Sequence, residues 1–290
     1  MSVCFYHNDL DGITSAAIVN KKFKVKKFIP VGYNLPFPVE KITKKEKVYV
    51  VDYSPDKVEI FEHIHNLTPY FIWIDHHASS IRKFKDFEFL GGKRGSSDPA
   101  ACRLTWSFCY PKVDIPLFVK LVSDFDAWKY RHGDQTKNLI AALDFVEYAN
   151  LNPESNHFWS EVLNNSKSAK KKVDELCIVG ERVRASIEKY RKEYAEEYAF
   201  EVEFEGLNCI AANRRDGGSL LFQIFKNKNY DAMISFQYCG RSRAWTFSIY
   251  STQLHVDCSI IAEKYGGGGH KGAAGFTTSK LPFDLPKEKE

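Results

Sequence analysis

The sequence predicts an α/β protein with a doubly wound parallel sheet in its N-terminal part, followed by a second, smaller α/β domain. Three short apolar runs alternate with helical segments, which is typical of parallel strands connected by helices. Each run also ends in acidic or histidine residues. Ligands of doubly wound sheets bind beyond the carboxyl ends of the strands, so a functional site is expected at that edge.

The N-terminal elements follow from the apolar runs and their spacing. The runs predict three strands, at 3–6, 48–51 and 70–74. Packable residues around them predict four helices, at 12–20, 56–65, 98–110 and 115–123. The third helix is expected to begin with Asp98 as its N-cap and Pro99 at its first position. Residues 1–165 are therefore assigned to a first domain.

The rest of the chain changes from helical to strand character. Residues 168–199 predict one or two long helices, because apolar and tyrosine residues recur there at spacings of three and four. Strands are then expected at 200–204, 209–213, 232–238 and 245–250, before a glycine turn at 266–269. These patterns predict a helical connector over 166–199, a second domain over 200–282 and a tail over 283–290.

Composition excludes several classes of protein. Hydrophobic residues make up 44% and charged residues 27% of the chain, values typical of a globular protein rather than a disordered, collagen-like or coiled-coil one. A formal net charge of +4 is too small to predict bulk nucleic-acid binding. No apolar run approaches the ~20 residues of a membrane span, and the N-terminus has no signal-peptide core. A cytoplasmic protein with reduced cysteines is therefore expected.

Positive charge is concentrated after the first predicted helix. Residues 21–47 contain nine lysines against Glu40 and Glu46. The stretch is interpreted as a solvated surface with edge lysines, and a rim for an anionic substrate is the alternative. A basic nucleic-acid scaffold is a further reading, for which binding to long duplex DNA would depend strongly on salt.

The first polar cluster that could perform chemistry is HNDLDG. His7, Asp9 and Asp11 alternate, and side chains two residues apart in a turning segment can converge on one ion or on two adjacent ions. One imidazole with two carboxylates suits Mn²⁺ better than a thiolate-bound zinc. A polar turn closed by Gly12 is the alternative interpretation.

The next two clusters also follow apolar runs. Asp52 comes directly after 48–51, where a buried carboxylate needs a partner because its desolvation is costly; a helix N-cap is the alternative. The segment Asp75-His76-His77 follows the third run. Two adjacent histidines cannot both face the same way from a regular strand, so one can ligate a metal while the other points at a substrate oxygen.

The fourth cluster, SDFDAW, offers Asp124 and Asp126, either of which could be a ligand while the other caps a helix. Four clusters at similar places in successive structural units predict a single site. Its six donors are His7, Asp9, Asp11, Asp52, His76 and Asp124.

Two further sets of residues have open interpretations. Arg214 and Arg215 precede a Gly-Gly-Ser turn and a helical stretch, where either anion binding at a helix N-terminus or a solvated pair fits. Three tryptophans are interpreted as core side chains rather than base-stacking platforms: Trp73, Trp106 and Trp128.

Taken in order, HNDLDG, VDYS, IDHH, SDFD and GGGGHKGAAG resemble the motifs of the DHH/DHHA1 phosphoesterase superfamily. The resemblance runs from the first strand to about Phe276. Asp-His-His alone is a weak signal, but its combination with the flanking motifs is highly specific. The resemblance implies a DHH domain that binds two Mn²⁺ ions, with Mg²⁺ or Co²⁺ as substitutes, and a DHHA1 domain that faces it across a cleft.

The resemblance also implies a role for each donor. One metal would be held by His7 and Asp9 and the other by Asp11 and His76, while Asp52 bridges the two.

Three more residues complete the implied catalytic site. Asp124 would be the fourth-motif ligand, favoured over Asp126 because it directly follows the apolar run. His77 would lie beside the scissile phosphate, and Asp75 would orient the histidines. Together with Asp52, His77 and Asp75 form the implied catalytic set.

Substrate contacts are expected from the second domain, in the glycine loop and just after it, at Gly267, Gly268, Gly269 and His270. Many relatives carry Arg-Ser where this chain has Tyr250-Ser251. Arg241 or Arg243 on the same hairpin is expected to compensate, with Ser251 and Arg214 as further contacts.

The function implied by the resemblance is that of a nanoRNase-like, Mn²⁺-dependent phosphodiesterase. It would trim short single-stranded RNA or DNA oligonucleotides to mononucleotides from the 3′ end, using water activated by two metals. The alternatives are a 3′-phosphoadenosine 5′-phosphate phosphatase, a cyclic-dinucleotide phosphodiesterase and a non-catalytic nucleotide-binding module. The oligomeric state is open, a homodimer included.

Overall fold

The computed structural model describes residues 1–33, 35–87, 91–95, 98–145, 151–214 and 218–285. The chain divides into two compact units, Met1–Arg184 and Ala185–Glu290. Arg215, one of the paired arginines considered above, lies outside the described residues.

The first unit contains a four-stranded sheet whose paired strands are all parallel, in the order β2-β1-β3-β4. Its strands are β1 (Ser2–His7), β2 (Lys27–Val31), β3 (Lys47–Val51) and β4 (Phe71–Ile74). The sequence predicts three of these strands. It misses β2, because this edge strand lies within the lysine-rich stretch and is mostly not buried.

Helices cover both faces of this sheet, which confirms the doubly wound class. They are α1 (Leu10–Phe23), α2 (Glu59–Leu67), α3 (Ala78–Lys83) and α4 (Ala101–Cys109). Successive side chains of a strand point to opposite faces. Val3 and Phe5 accordingly pack in a cluster with Phe61 of α2, whereas Cys4 and Tyr6 pack in another with residues of α1 and α4.

The helix expected at 98–110 begins at Ala101, and the predicted N-cap role of Asp98 is wrong. Asp98 instead forms an ion pair with Arg131. The first backbone N–H groups of α4 donate to the carboxylate of Asp11, from Ala101 at 2.8 Å and from Cys102 at 2.9 Å. A residue 90 positions away therefore takes over the capping role.

Four more helices follow along the chain: α5 (Leu117–Asp126), α6 (Asp134–Phe145), α7 (Asn156–Val162) and α8 (Lys167–Tyr198). The 32-residue α8 spans the predicted connector as one continuous helix, and the division between the two compact units falls inside it. No pattern in the sequence predicts α6 or α7.

The second unit contains a six-stranded sheet in the order β5-β6-β7-β8-β10-β9, in which only the β6–β7 pair is parallel. Its strands are β5 (Phe200–Phe204), β6 (Leu207–Ala212), β7 (Ala232–Cys239), β8 (Ala244–Ser251), β9 (Gly268–His270) and β10 (Ala273–Thr278). One face packs on α9 (Cys258–Lys264), and the other packs on a 3₁₀ helix (Gly218–Phe225) and the end of α8. This unit is therefore also α/β.

The segment predicted as a tail is partly packed. Phe283 lies against the rings of Phe204, Phe236 and Phe247 in the core of the second unit. Phe283 is half-buried by these ring contacts, which hold this part of the chain against the sheet. The final predicted residues, 286–290, lie outside the described residues.

All seven cysteines lie in the described residues, and none forms a disulfide. Among the helices that the structure describes, none combines the length and apolarity needed to cross a bilayer.

Candidate metal centre

The junction between β1 and α1 carries the first three predicted donors. His7 ends the strand, Asp9 is the N-cap of α1 and Asp11 lies in its first turn. Nδ1 of His7 lies 2.7 Å from one carboxylate oxygen of Asp9, and the other oxygen accepts a 2.9 Å hydrogen bond from the backbone N–H of Gly12. The alternation of the motif therefore places donors along the change from strand to helix.

Gly12 is required by close packing at this junction. A Cβ built on Gly12 would lie 2.1 Å from the backbone oxygen of His7, far inside van der Waals contact. The motif thus ends in glycine because α1 must start directly against the end of β1.

Replacing Gly12 with alanine is expected to lower the free energy of unfolding by at least about 2 kcal/mol, because the backbone must shift to relieve the clash. Gly32→Ala is the matched control, since a Cβ there meets nothing within 4 Å. Urea denaturation of both variants measures the difference. Equal stabilities would contradict the steric explanation.

Asp52 is the most enclosed donor of the site. It follows β3 with a left-handed backbone, φ 56°, and is 1% exposed. Its backbone N–H donates to the carbonyl of Ile74 at 2.8 Å, and α2 begins only at Glu59. Asp52 is therefore not the N-cap considered as its alternative role. Its side chain lies between two histidines, 3.7 Å from Nδ1 of His7 and 3.4 Å from Nε2 of His76.

The Asp75-His76-His77 segment is organised by one carboxylate oxygen. Oδ1 of Asp75 accepts hydrogen bonds from the backbone N–H of His76 at 2.7 Å and of His77 at 3.2 Å. The same oxygen lies 2.7 Å from Nδ1 of His77. The two histidine rings diverge, with an interplanar angle of 57°. This arrangement gives the neighbouring histidines different partners.

The structure brings Asp126, rather than the expected Asp124, into the donor cluster. Oδ2 of Asp126 lies 3.2 Å from Nε2 of His76. Both aspartates belong to the last turn of α5. Residues two positions apart on a helix are rotated by about 200° around its axis, so their side chains point to nearly opposite faces. Only one of them can face the cluster, so the preference for Asp124 is wrong on geometric grounds.

The carboxylate of Asp124 instead accepts hydrogen bonds from the turn that follows α5. Its carboxylate accepts hydrogen bonds from the backbone N–H groups of Arg131 at 2.8 Å and His132 at 3.1 Å, and from the hydroxyl of Thr136 at 2.6 Å. Burial alone would raise the pKa of Asp124, but these donors outweigh it and lower the pKa below its ordinary value.

The donors form three overlapping groups, and within each group the ligand atoms lie within 4.8 Å of one another. Asp52 is shared by two groups, and so is His76. The groups are His7–Asp9–Asp52, Asp52–His76–His77 and Asp11–His76–Asp126. The structure therefore brings together five of the six predicted donors, and adds Asp126 and His77.

The ionisable side chains of the cluster shift one another's pKa values strongly. Burial and the nearby charge of Asp52 raise the pKa of Asp11 to about 8, and burial and the charge of Asp11 raise that of Asp126 to about 6. The carboxylates of Asp52 and Asp9 raise the pKa of His7 to about 10. Packed so closely, the acidic groups repel one another and favour any cation that can lie among them.

The donor set fits divalent metal ions. Oδ1 of Asp52 is buried and accepts no hydrogen bond among the described residues, with Nε2 of His76 3.4 Å away, so a cation placed between these two side chains would stabilise it. The clustered ligands are imidazole nitrogens and carboxylate oxygens without a thiolate, a set that suits Mn²⁺. Two adjacent ions could share Asp52, since it belongs to two of the groups.

The cluster opens into a cavity of about 580 Å³. Arg82 and Trp128 both line this cavity, so the interpretation of Trp128 as a core residue is wrong, and no motif of the sequence points to Arg82. Tyr33, also overlooked, has its ring centroid 5.4 Å from that of His7 and 6.0 Å from that of His77. Tyr33 lies within the lysine-rich stretch, so no pattern in the sequence pointed to it.

In the second unit, the glycine loop forms the β9 edge of the sheet. A Cβ on Gly267 would lie 2.2 Å from the carbonyl oxygen of Gly275, and one on Gly269 would lie 2.6 Å from Cα of Ala274. These two glycines are thus required by packing on β10. A Cβ on Gly268 would meet nothing within 4 Å, and His270 is exposed at the end of β9.

Arg241 and Arg243 precede β8, whereas Tyr250 and Ser251 end it. Tyr250 pairs with Ala273, which in turn pairs with His270 at the end of the glycine loop. The two arginines therefore lie beyond the opposite end of β8 from the position where many relatives carry Arg-Ser. Substitution for that arginine by Arg241 or Arg243 stays a prediction.

The two remaining predicted contacts already have partners within the second unit. Ser251 donates its hydroxyl hydrogen bond to the carbonyl of Gln253 at 2.7 Å. The guanidinium of Arg214 lies over the rings of Tyr190 and Tyr194, at 4.7 and 4.9 Å from their centroids. Contact of either residue with substrate stays a prediction.

The fold of this chain is similar to that of a solved DHH domain, in agreement with the resemblance of its sequence motifs to the DHH/DHHA1 superfamily. A solved structure of the PF0399 DHH domain, described as a member of the s1p family of ribosomal proteins, matches with a TM-score of 0.54 and 14% identity over 96% of this chain and 82% of that one. No family model matches the chain.

Two curated proteins are similar along nearly the whole chain. Uncharacterized protein R106 of Acanthamoeba polyphaga mimivirus is 26% identical, over 100% of this chain and 70% of its own length. Oligoribonuclease NrnB of Bacillus subtilis is 21% identical, over 97% of this chain and 74% of its own length.

Proposed function

We propose that this protein is a Mn²⁺-dependent phosphodiesterase that hydrolyses short oligonucleotides to mononucleotides from their 3′ ends. The observation that carries the proposal is the set of three overlapping donor groups joined through Asp52 and His76. Its similarity to oligoribonuclease NrnB supports oligonucleotides as the substrate class.

The ligands are assigned from the geometry of the cluster. His7 and Asp9 would hold one ion, Asp11, His76 and Asp126 would hold the other, and Asp52 belongs to donor groups on both sides. Two Mn²⁺ ions bound there would lower the pKa of a shared water and neutralise phosphoryl oxygens.

The other side chains position the substrate. Because Nδ1 of His77 lies 2.7 Å from Asp75, its Nε2 is left for a phosphoryl oxygen. Asp75 is buried, so this orientation is fixed. Within the second unit, we propose that Gly268 and His270 contact nucleotide, because Gly268 has open space around it and His270 is exposed.

The test is a series of RNA substrates from dimer to 20-mer, incubated with Mn²⁺ and followed by product identification. We expect mononucleotides from dimers to pentamers, slower cleavage of long substrates, and loss of activity with a chelator. Parallel reactions with 3′-phosphoadenosine 5′-phosphate and with a cyclic dinucleotide test the two alternative substrates. A protein that releases no mononucleotide from dimers to pentamers would contradict the proposal.

A further inference from the structure

Trp128 is an exposed aromatic side chain at the edge of the metal centre. It is 76% exposed, whereas Trp73 and Trp106 are buried as the sequence predicted. Trp128 lines the same cavity as Asp52, His76 and Asp126. What distinguishes Trp128 from the other exposed apolar side chains is therefore its place in the lining of the cavity that contains the donor cluster.

The backbone around Trp128 is held in an unfavourable conformation. Trp128 and Tyr130 both have left-handed φ values, 53° and 50°, which non-glycine residues rarely adopt. Strain of this kind is kept at functional sites where the surrounding structure enforces it. The indole ring itself lies near Phe125, with centroids 6.2 Å apart, and meets the ring of Tyr130 at 5.8 Å in an edge contact.

Asp124 supplies the contacts that enforce this turn. Its backbone carbonyl accepts a 3.0 Å hydrogen bond from the N–H of Lys129, and its carboxylate binds the N–H groups of Arg131 and His132. The turn after α5 is thereby fixed on both sides of Tyr130. Asp124 is a positioning residue for the segment that presents Trp128.

We infer that Trp128 is a stacking platform for the nucleobase next to the phosphate held at the metal centre, with Arg82 as a cationic contact in the same cavity. The inference rests on the proposed function, because the base belongs to its nucleotide substrate. Stacking on an indole is available to every base. It therefore provides affinity for nucleotides without sequence specificity, and favours purines for their larger rings.

The inference is tested by measuring ligand binding rather than catalysis. Adenosine 5′-monophosphate and ribose 5-phosphate carry the same phosphate and differ by the base, so the ratio of their dissociation constants with Mn²⁺ present reports on stacking. We expect the parent protein to prefer the nucleotide by about 5- to 150-fold. Trp128→Ala should bring this ratio close to one, and Trp128→Phe should keep much of the preference.

Tyr70→Ala is the matched control, since Tyr70 is also an exposed aromatic residue, at 57%, but precedes the opposite end of β4. It should leave the ratio unchanged. Quenching of tryptophan fluorescence by the nucleotide should be smaller in Trp128→Phe than in the parent. Thermal unfolding of each variant verifies that it is folded.

The outcomes separate this inference from the proposed function. An unchanged preference in Trp128→Ala, or no preference in the parent, overturns the stacking platform even if the parent hydrolyses dimers. A preference that disappears with Trp128 supports the platform even if dimers are not hydrolysed, in which case the proposed substrate is wrong.

Discussion

Asp52→Asn is expected to reduce hydrolysis of short oligonucleotides by at least about 1,000-fold, equivalent to roughly 4 kcal/mol of transition-state stabilisation. Asp52 belongs to two of the three donor groups, so its loss weakens both proposed metal sites together. Asparagine has nearly the same shape and tolerates the left-handed backbone at this position. The fold should therefore persist, and steady-state kinetics on a dimer measures the effect.

Thermal unfolding with and without Mn²⁺ gives a second measurement on Asp52→Asn. Ligands that bind only the folded state raise the melting temperature, and this rise should be much smaller in the variant than in the parent. Asp56→Asn serves as control, because Asp56 is exposed and lies only four residues further on. Parent-like activity in Asp52→Asn would show that catalysis takes place elsewhere.

Substitutions of the two aspartates of α5 are expected to have opposite effects on activity and stability. Asp126→Asn should remove most of the activity and of the stabilisation by Mn²⁺, with little loss of stability in the absence of metal. Burial and the charge of Asp11 raise the pKa of Asp126 to about 6, so its ionised form is unfavourable without a cation. Removing that charge costs the fold little.

Asp124→Ala should lower the stability of the fold and leave stabilisation by Mn²⁺ in place. It leaves two backbone N–H groups and the hydroxyl of Thr136 without their acceptor, and we expect the free energy of unfolding to fall by roughly 3 kcal/mol. Folded protein should still be stabilised by Mn²⁺. Urea denaturation of both variants with and without the metal checks the pair, and the reverse pattern would restore Asp124 as the ligand.

These two aspartates also show which part of the candidate site the sequence does not predict. The apolar runs at 48–51 and 70–74 locate β3 and β4 closely, because strands buried on both faces are continuously apolar. The polar residues after them are therefore well placed, and Asp52 and His76 do lie together. The choice between Asp124 and Asp126 depends instead on where α5 ends, a boundary that the apolar run does not fix.

Elements governed by long-range contacts were the hardest to predict. β2 pairs with β1 at the edge of the sheet, so its pattern KFIPV carries little of the apolar signal of a central strand. The start of α4 is capped by Asp11 from a distant part of the chain rather than by its neighbour Asp98. Exposure of Trp128 depends on a turn held by Asp124, which is a local contact but one that no spacing or motif in the sequence indicates.

The two edges of the parallel sheet are protected in different ways. The outer side of β4 is covered by single bridges from Ile72 to Gly91 and from Asp75 to Arg94. β2 has no such cover in the described residues, but Lys24, Lys26 and Lys27 lie exposed at its start. Charged lysines on an edge strand keep another copy from adding a strand there. Neutralising these lysines by acetylation would leave Pro30 as the remaining protection of this edge, and we expect it to make pairing between copies of the chain easier.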